Sequence, residues 1–126
     1  MILADSNILI EYFRSRKSPL AKKIDSMSIG ICGPVRTELL HGAKNDKEAD
    51  NILAAFKTFE PVYIDEYDWD VTGLMLQTMK KCGFSVPVTD ALIAYTGMKY
   101  DIPVWTRDNH FKIIQAVYPE LKLYEE

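Results

Sequence analysis

The chain has 126 residues, 48% of them apolar and 11% aromatic, with a net charge of −3. This is the size of one ordinary domain with ample core material, which excludes an intrinsically disordered chain. The excess of acid excludes indiscriminate nucleic-acid binding by the whole surface, and no apolar run approaches the roughly 18 residues of a membrane helix.

Met1 to Ala4 reads as a short strand ending at Asp5, and helical sequence (Ile8, Leu9, Ile10, Tyr12, Phe13) follows at once, the opening of an α/β unit. Asp5 and Glu11 interrupt any signal-like apolar stretch, so a cytoplasmic protein is expected. Between Arg14 and Lys23 the chain carries five cations and no acid. Arg14, Arg16 and Lys17 are candidate phosphate contacts, although cations also favour a helix end for dipole reasons alone. Ser18-Pro19 starts a second helix with Leu20, Ile24 and Met27 inward, and Ser28 to Cys32 is a second strand.

Gly33-Pro34 opens a third helix that carries Glu38. Asp46 to Phe59 forms an amphipathic helix with Ala49, Ile52, Leu53 and Phe56 on one face. Pro61 to Ile64 is a third strand. The longest helix, Glu66 to Cys82, has Val71, Leu74, Met75, Thr78, Met79 and Cys82 on a stripe, stopped by Gly83. Its Trp69 and Met-rich face reads as core, with a partner surface as the alternative. After Pro87-Val88-Thr89 comes an apolar helix from Asp90 to Gly97. Ile102 to Thr106 is a fourth strand, Asn109 to Val117 a last helix, and Leu121 to Leu123 a terminal strand. Such alternation predicts a three-layer α/β/α sandwich around a parallel five-stranded sheet. Cys32 and Cys82 lack ligand spacing and read as free thiols.

Of eighteen acids, four satisfy one positional rule: each lies at a strand's carboxyl end, or early in the following helix, among apolar neighbours. Asp5 follows strand one, Glu38 lies in the helix after strand two, Asp90 opens the apolar helix, and Asp108 follows strand four. In a parallel sheet these places share an edge. Each also has a local explanation. Asp90 suits a helix dipole, Asp108 a helix cap, and Glu38 an ion pair with Arg36 or His41. Asp5 is hardest to assign this way, because Ser6 or Asn7 could cap its helix instead.

Oxygen ligands without a His or Cys pattern suit Mg²⁺ or Mn²⁺ and phosphodiester hydrolysis. Asn7 and Thr106 are placed to orient these ligands. Neither His41 nor His110 belongs to a nucleophile signature, and no Gly-rich phosphate loop is present.

Asp5-Ser6-Asn7, Glu38-Leu39-Leu40-His41-Gly42, Thr89-Asp90-Ala91-Leu92-Ile93-Ala94 and Thr106-Arg107-Asp108-Asn109-His110-Phe111 together resemble the four motifs of the PIN domain. More narrowly, they are similar to those of the VapC-type toxins of toxin–antitoxin pairs. The resemblance spans residues 1–126 as a single PIN domain. It implies sheet order 3-2-1-4-5 and a Mg²⁺- or Mn²⁺-dependent endoribonuclease that inhibits translation by cutting structured RNA, tRNA or rRNA. It also implies a homodimer and a VapB-type antitoxin partner. By motif, Asp5, Glu38, Asp90 and Asp108 correspond to the catalytic, metal-binding quartet, with Asn7 and Thr106 in support. Some relatives carry a further acid two residues after the last Asp, where this chain has His110. That departure leaves both a fifth ligand and the number of ions, one or two, undecided.

Three other readings compete: a PIN nuclease that is not a toxin, a PIN-like module that binds RNA or protein without cutting, and a receiver-type phospho-acceptor domain. The last needs adjacent acids after strand one and a late Lys, and the chain shows neither.

Overall fold

A computed structural model describes all residues from Met1 to Glu126. The elements run β1 (Ile2–Ala4), α1 (Ser6–Arg14), α2 (Pro19–Asp25), β2 (Ile29–Cys32), α3 (Gly33–His41), α4 (Asp46–Phe56), β3 (Glu60–Val62), α5 (Glu66–Lys81), α6 (Val88–Tyr100), β4 (Val104–Trp105) and α7 (His110–Val117). The sheet is parallel throughout, in the order β3-β2-β1-β4. The expected terminal strand is reduced to one parallel bridge between Leu123 and Val104. Two hydrogen bonds hold it there, Val104 N–H to Lys122 O at 2.9 Å and Tyr124 N–H to Val104 O at 2.8 Å. The segment therefore takes the fifth place beside β4 without the length of a strand.

Strands β1 and β2 carry the centre of the sheet, and their short apolar runs are buried because helices flank the sheet. Helix α1 packs on α2 and α3, and α3 on α4; α5 packs on α6, and α6 on α7. One cluster of 27 buried residues joins Leu3, Ile31, Ile93, Trp105 and Phe111. Helix α6 lies close against β4 because Gly97 has no side chain. A Cβ there would sit 2.7 Å from Val104 Cγ2 and 3.0 Å from Ile102 O.

Two helical faces differ from the periodicity. On α5 the buried residues are Asp68, Thr72, Met75 and Met79, while Leu74 and Trp69 are exposed. The stripe is turned because Asp68, only 2% exposed, is drawn inward by Lys99 Nζ of α6 at 2.9 Å. On α4, Leu53 is exposed and Ala55 takes its place inside.

The chain leaves β3 at one edge and returns on the far side of β1, where β4 pairs with it. Order reverses between β1 and β4, and the carboxyl ends of those two strands open onto the crevice where such sheets bind ligands.

Candidate active site

Asp5 occupies that switch point. It is the residue after β1, 4% exposed, and its N–H donates to Trp105 O at 2.9 Å. Contrary to the sequence expectation, Asp5 itself caps α1, with Oδ1 accepting from Ser6 N–H at 2.8 Å. An extended backbone at Asp5 aims that oxygen back at the first helical N–H. The second oxygen, Oδ2, stays free of the cap and accepts from the Thr106 hydroxyl at 2.7 Å. Capping and site formation thus use different atoms of one carboxylate.

Thr106 lies just past β4, and the tight turn after it organises the opposite wall. Its hydroxyl oxygen accepts from Asp108 N–H at 3.0 Å, and Asp108 Oδ1 accepts from His110 N–H at 2.9 Å. Asp108, one residue ahead of the N-cap Asn109, thereby satisfies the first N–H of α7. Asn7 spans the crevice, with Nδ2 3.5 Å from Thr106 Oγ1 and Oδ1 accepting from Arg107 N–H at 3.4 Å. The Arg107 side chain turns away, paired with Glu11 and with Glu126 at 2.9 Å.

Asp90 enters from the first turn of α6, which begins two residues earlier than its apolar run suggests, at Val88 after Pro87. Its Oδ2 is 2.9 Å from His110 Nδ1, and the same nitrogen is 3.1 Å from Asp108 Oδ1. Asp90, Asp108 and His110 thus present three ligand-type atoms within 4.8 Å of one another. Glu38, one turn into α3, pairs with neither Arg36 nor His41. Its Oε2 instead accepts the Ser6 hydroxyl, which ties it to the residue next to Asp5.

Burial raises the Asp5 carboxyl above its ordinary value of 3.8; the hydrogen bonds from Thr106 and Ser6 oppose the shift, and the charges of Glu38 and Asp108 add to it. Burial also raises Asp90, with His110 opposing and Asp108 and Asp5 adding. Asp5 thus feels the charges of Glu38 and Asp108, and Asp90 those of Asp108 and Asp5, as like charges brought near one another do. The set is rich in hard oxygen donors, and its chemistry fits a divalent ion.

Two residues of this arrangement were not among the candidates read from sequence. Ser6 bridges the Asp5 and Glu38 sides, and its place inside Asp5-Ser6-Asn7 was the only hint. His110 meets the cluster because the turn at Asp108 folds its ring back, which no helical or strand spacing announces.

Beside Glu38 runs a groove of about 930 Å³ between the end of α1 and the start of α4. Arg14, Arg16, Lys44 and Lys47 line it; Lys17 does not. Arg16 stacks over the Tyr12 ring at 4.3 Å, which fixes its guanidinium at the rim. Cys32 is buried, its thiol pushed up to about 11 by that burial, and Cys82 is exposed; neither forms a disulfide. No helix is long and apolar enough to cross a membrane.

The family profile described as PIN domain matches residues 2–117. The chain is 31% identical to Ribonuclease VapC1 of Methanocaldococcus jannaschii, across 99% of this chain and 88% of that one. It is 24% identical to Ribonuclease VapC11 of Mycobacterium tuberculosis, over 93% of each. Among solved structures, VapBC2 from Rickettsia felis bound to a promoter DNA fragment superposes with a TM-score of 0.81 at 20% identity, covering 98% of both chains. A toxin–antitoxin complex from Klebsiella pneumoniae gives 0.75 at 22% identity, covering 100% of both. These two likenesses concern the fold; the profile and the first relative concern descent. The receiver-type reading falls with them. The chain belongs to the PIN-domain family, among the VapC ribonucleases.

Proposed function

We propose that this protein is a divalent-metal-dependent endoribonuclease and the toxin of a toxin–antitoxin pair, hydrolysing phosphodiesters of structured RNA such as tRNA or rRNA. The observation that carries the reading is the convergence of Asp5 and Asp108 on Thr106, of Asp90 and Asp108 on His110, and of Glu38 on Ser6, at the switch point of a parallel sheet. Acids this close oppose one another's ionisation unless a cation is part of the working state. Asp5, Glu38, Asp90 and Asp108 are the residues that would hold Mg²⁺ or Mn²⁺. When bound, the ion supplies a water of lowered pKa at neutral pH and charge neutralisation at the scissile phosphate.

The protein's own groups do the positioning. Thr106 and Asn7 hold Asp5 and the Asp108 turn in register, so the carboxylates stand ready before substrate arrives. Arg14 and Arg16, joined by Lys44 and Lys47, offer a cationic track that leads a phosphate backbone toward Glu38. Such a track lets a chain of net charge −3 bind RNA locally. The relatives named VapC ribonucleases and the VapBC complexes of the same fold support an RNA substrate and a VapB-type antitoxin partner. A homodimer, a cytoplasmic location and one domain over the whole chain complete the reading.

The test is cleavage of a tRNA and rRNA mixture by the purified chain, with and without chelator, beside Asp5→Asn. Cleavage that needs added Mg²⁺ or Mn²⁺ and disappears in the variant is the expected result. Cleavage that survives both would exclude this site.

A further inference from the structure

The ring of His110 stands inside the carboxylate cluster. Its backbone N–H donates to Asp108 Oδ1 at 2.9 Å, which turns the side chain back toward α6. Nδ1 then lies 2.9 Å from Asp90 Oδ2 and 3.1 Å from Asp108 Oδ1. Neighbouring ligands on an octahedral ion with bonds of about 2.1 Å stand about 3 Å apart. The nitrogen is therefore spaced from both oxygens as a ligand sharing their ion would be. The Asp90 side chain is 13% exposed, that of Asp108 37% and that of His110 40%, so the three donors run from the crevice floor to its mouth.

We propose that His110, through Nδ1, is a protein ligand of the ion held by Asp90 and Asp108, and that this mixed nitrogen and oxygen set favours transition-metal dications such as Mn²⁺ over Mg²⁺. The inference rests on the reading of this crevice as a metal centre. Imidazole is a poor partner for Mg²⁺, a hard ion that dehydrates reluctantly and binds oxygen, whereas first-row transition dications accept nitrogen readily. Binding at Nδ1 leaves the ring proton on Nε2. Backbone movement is not required, because the turn at Asp108 already presents the ring. A carboxylate at the same position would complete an all-oxygen set, so this single residue sets the preference.

The experiment uses the metal-stripped full chain. Mn²⁺ and Mg²⁺ are titrated separately by calorimetry, and the Mn²⁺-loaded protein is measured by pulsed electron paramagnetic resonance for coupling to a ligand nitrogen. The expected result is a nitrogen signal that vanishes in His110→Ala, with Mn²⁺ affinity falling about tenfold or more and Mg²⁺ affinity much less. His110→Asp should bind Mg²⁺ more tightly than the native chain, and it serves if the Ala variant is poorly folded. A nitrogen signal absent from the native protein, or persisting without His110, would overturn the inference while leaving the metal-dependent nuclease intact. Equal losses for both ions would overturn the preference. Failure of the native chain to bind either ion would overturn both.

Discussion

The hydroxyl of Thr106 joins the two halves of the site: it donates to Asp5 Oδ2 at 2.7 Å and accepts from Asp108 N–H at 3.0 Å. One side chain thereby sets the orientation of a carboxylate after β1 and the turn that carries another after β4. Thr106→Val keeps the shape and removes both bonds. Groups that orient metal ligands are worth about 10–100-fold in affinity or activity. We expect a loss of that size in cleavage, largely restored by Thr106→Ser, with rates measured at saturating metal to separate binding from orientation.

The raised carboxyls make stability and metal binding depend on pH in opposite directions. Asp5 and Asp90 titrate higher in the folded chain than in the unfolded one. Their contribution to stability is therefore fully present below the ordinary carboxylate value and is lost as pH rises through the raised one. A divalent ion needs them ionised, so the increase in melting temperature on adding Mn²⁺ should grow over the same rise. Thermal unfolding with Mn²⁺ or chelator, followed as pH rises from below the ordinary carboxylate value to neutrality, checks both signs. A gain independent of pH would remove Asp5 and Asp90 from the ligand set.

Cations of the groove should act through phosphate contacts. Each single-stranded phosphate neutralised contributes about 0.7 to the slope of log affinity against log salt. Arg14→Ala with Lys44→Ala should flatten that slope by about 1.4, measured with a catalytically silent Asp5→Asn background. Lys17 lies outside the groove lining, so Lys17→Ala should change the slope far less. Equal effects from both sets would mean that only general surface charge is involved.

Close contact between α6 and β4 depends on Gly97. In Gly97→Ala the new methyl would meet Val104 Cγ2 at 2.7 Å and the Ile102 carbonyl at 3.0 Å. Because the second neighbour is backbone, it yields little. We expect a loss of roughly 1–3 kcal/mol in chemical denaturation, as for other overpacked cores. Since α6 carries Asp90, cleavage should fall as well, and partial recovery with Val104→Ala, which relieves the Cγ2 contact but not the Ile102 carbonyl, would show that the cause is steric.

Much of this architecture was legible in the sequence. Short strands of three to five residues alternating with helical periods announce a parallel sheet, and one positional rule singles out Asp5 and Asp108 at strand ends and Glu38 and Asp90 early in the helices that follow. On α5, periodicity alone assigns the apolar Leu74 to the core and leaves the charged Asp68 to solvent. The structure reverses both, since Lys99 from another helix neutralises Asp68 where it is buried. The terminal strand was overextended for a related reason. Leu121 and Leu123 are apolar, but a single bridge to Val104 already covers the edge of the sheet.

What the sequence by itself determined is the order of elements and the residues able to reach the carboxyl edge, because hydrophobic period and strand-end position are local properties of the chain. Only the tertiary structure decided which atoms face the crevice. Asp5 divides its two oxygens between a helix cap and Thr106, Glu38 reaches Ser6 rather than its own helix neighbours, and His110 folds back between Asp90 and Asp108. Those partners are 20 to 101 residues distant in sequence for the His110–Asp90 and Thr106–Asp5 pairs, and such contacts exist only when separate strands and helices are brought to one edge of the sheet.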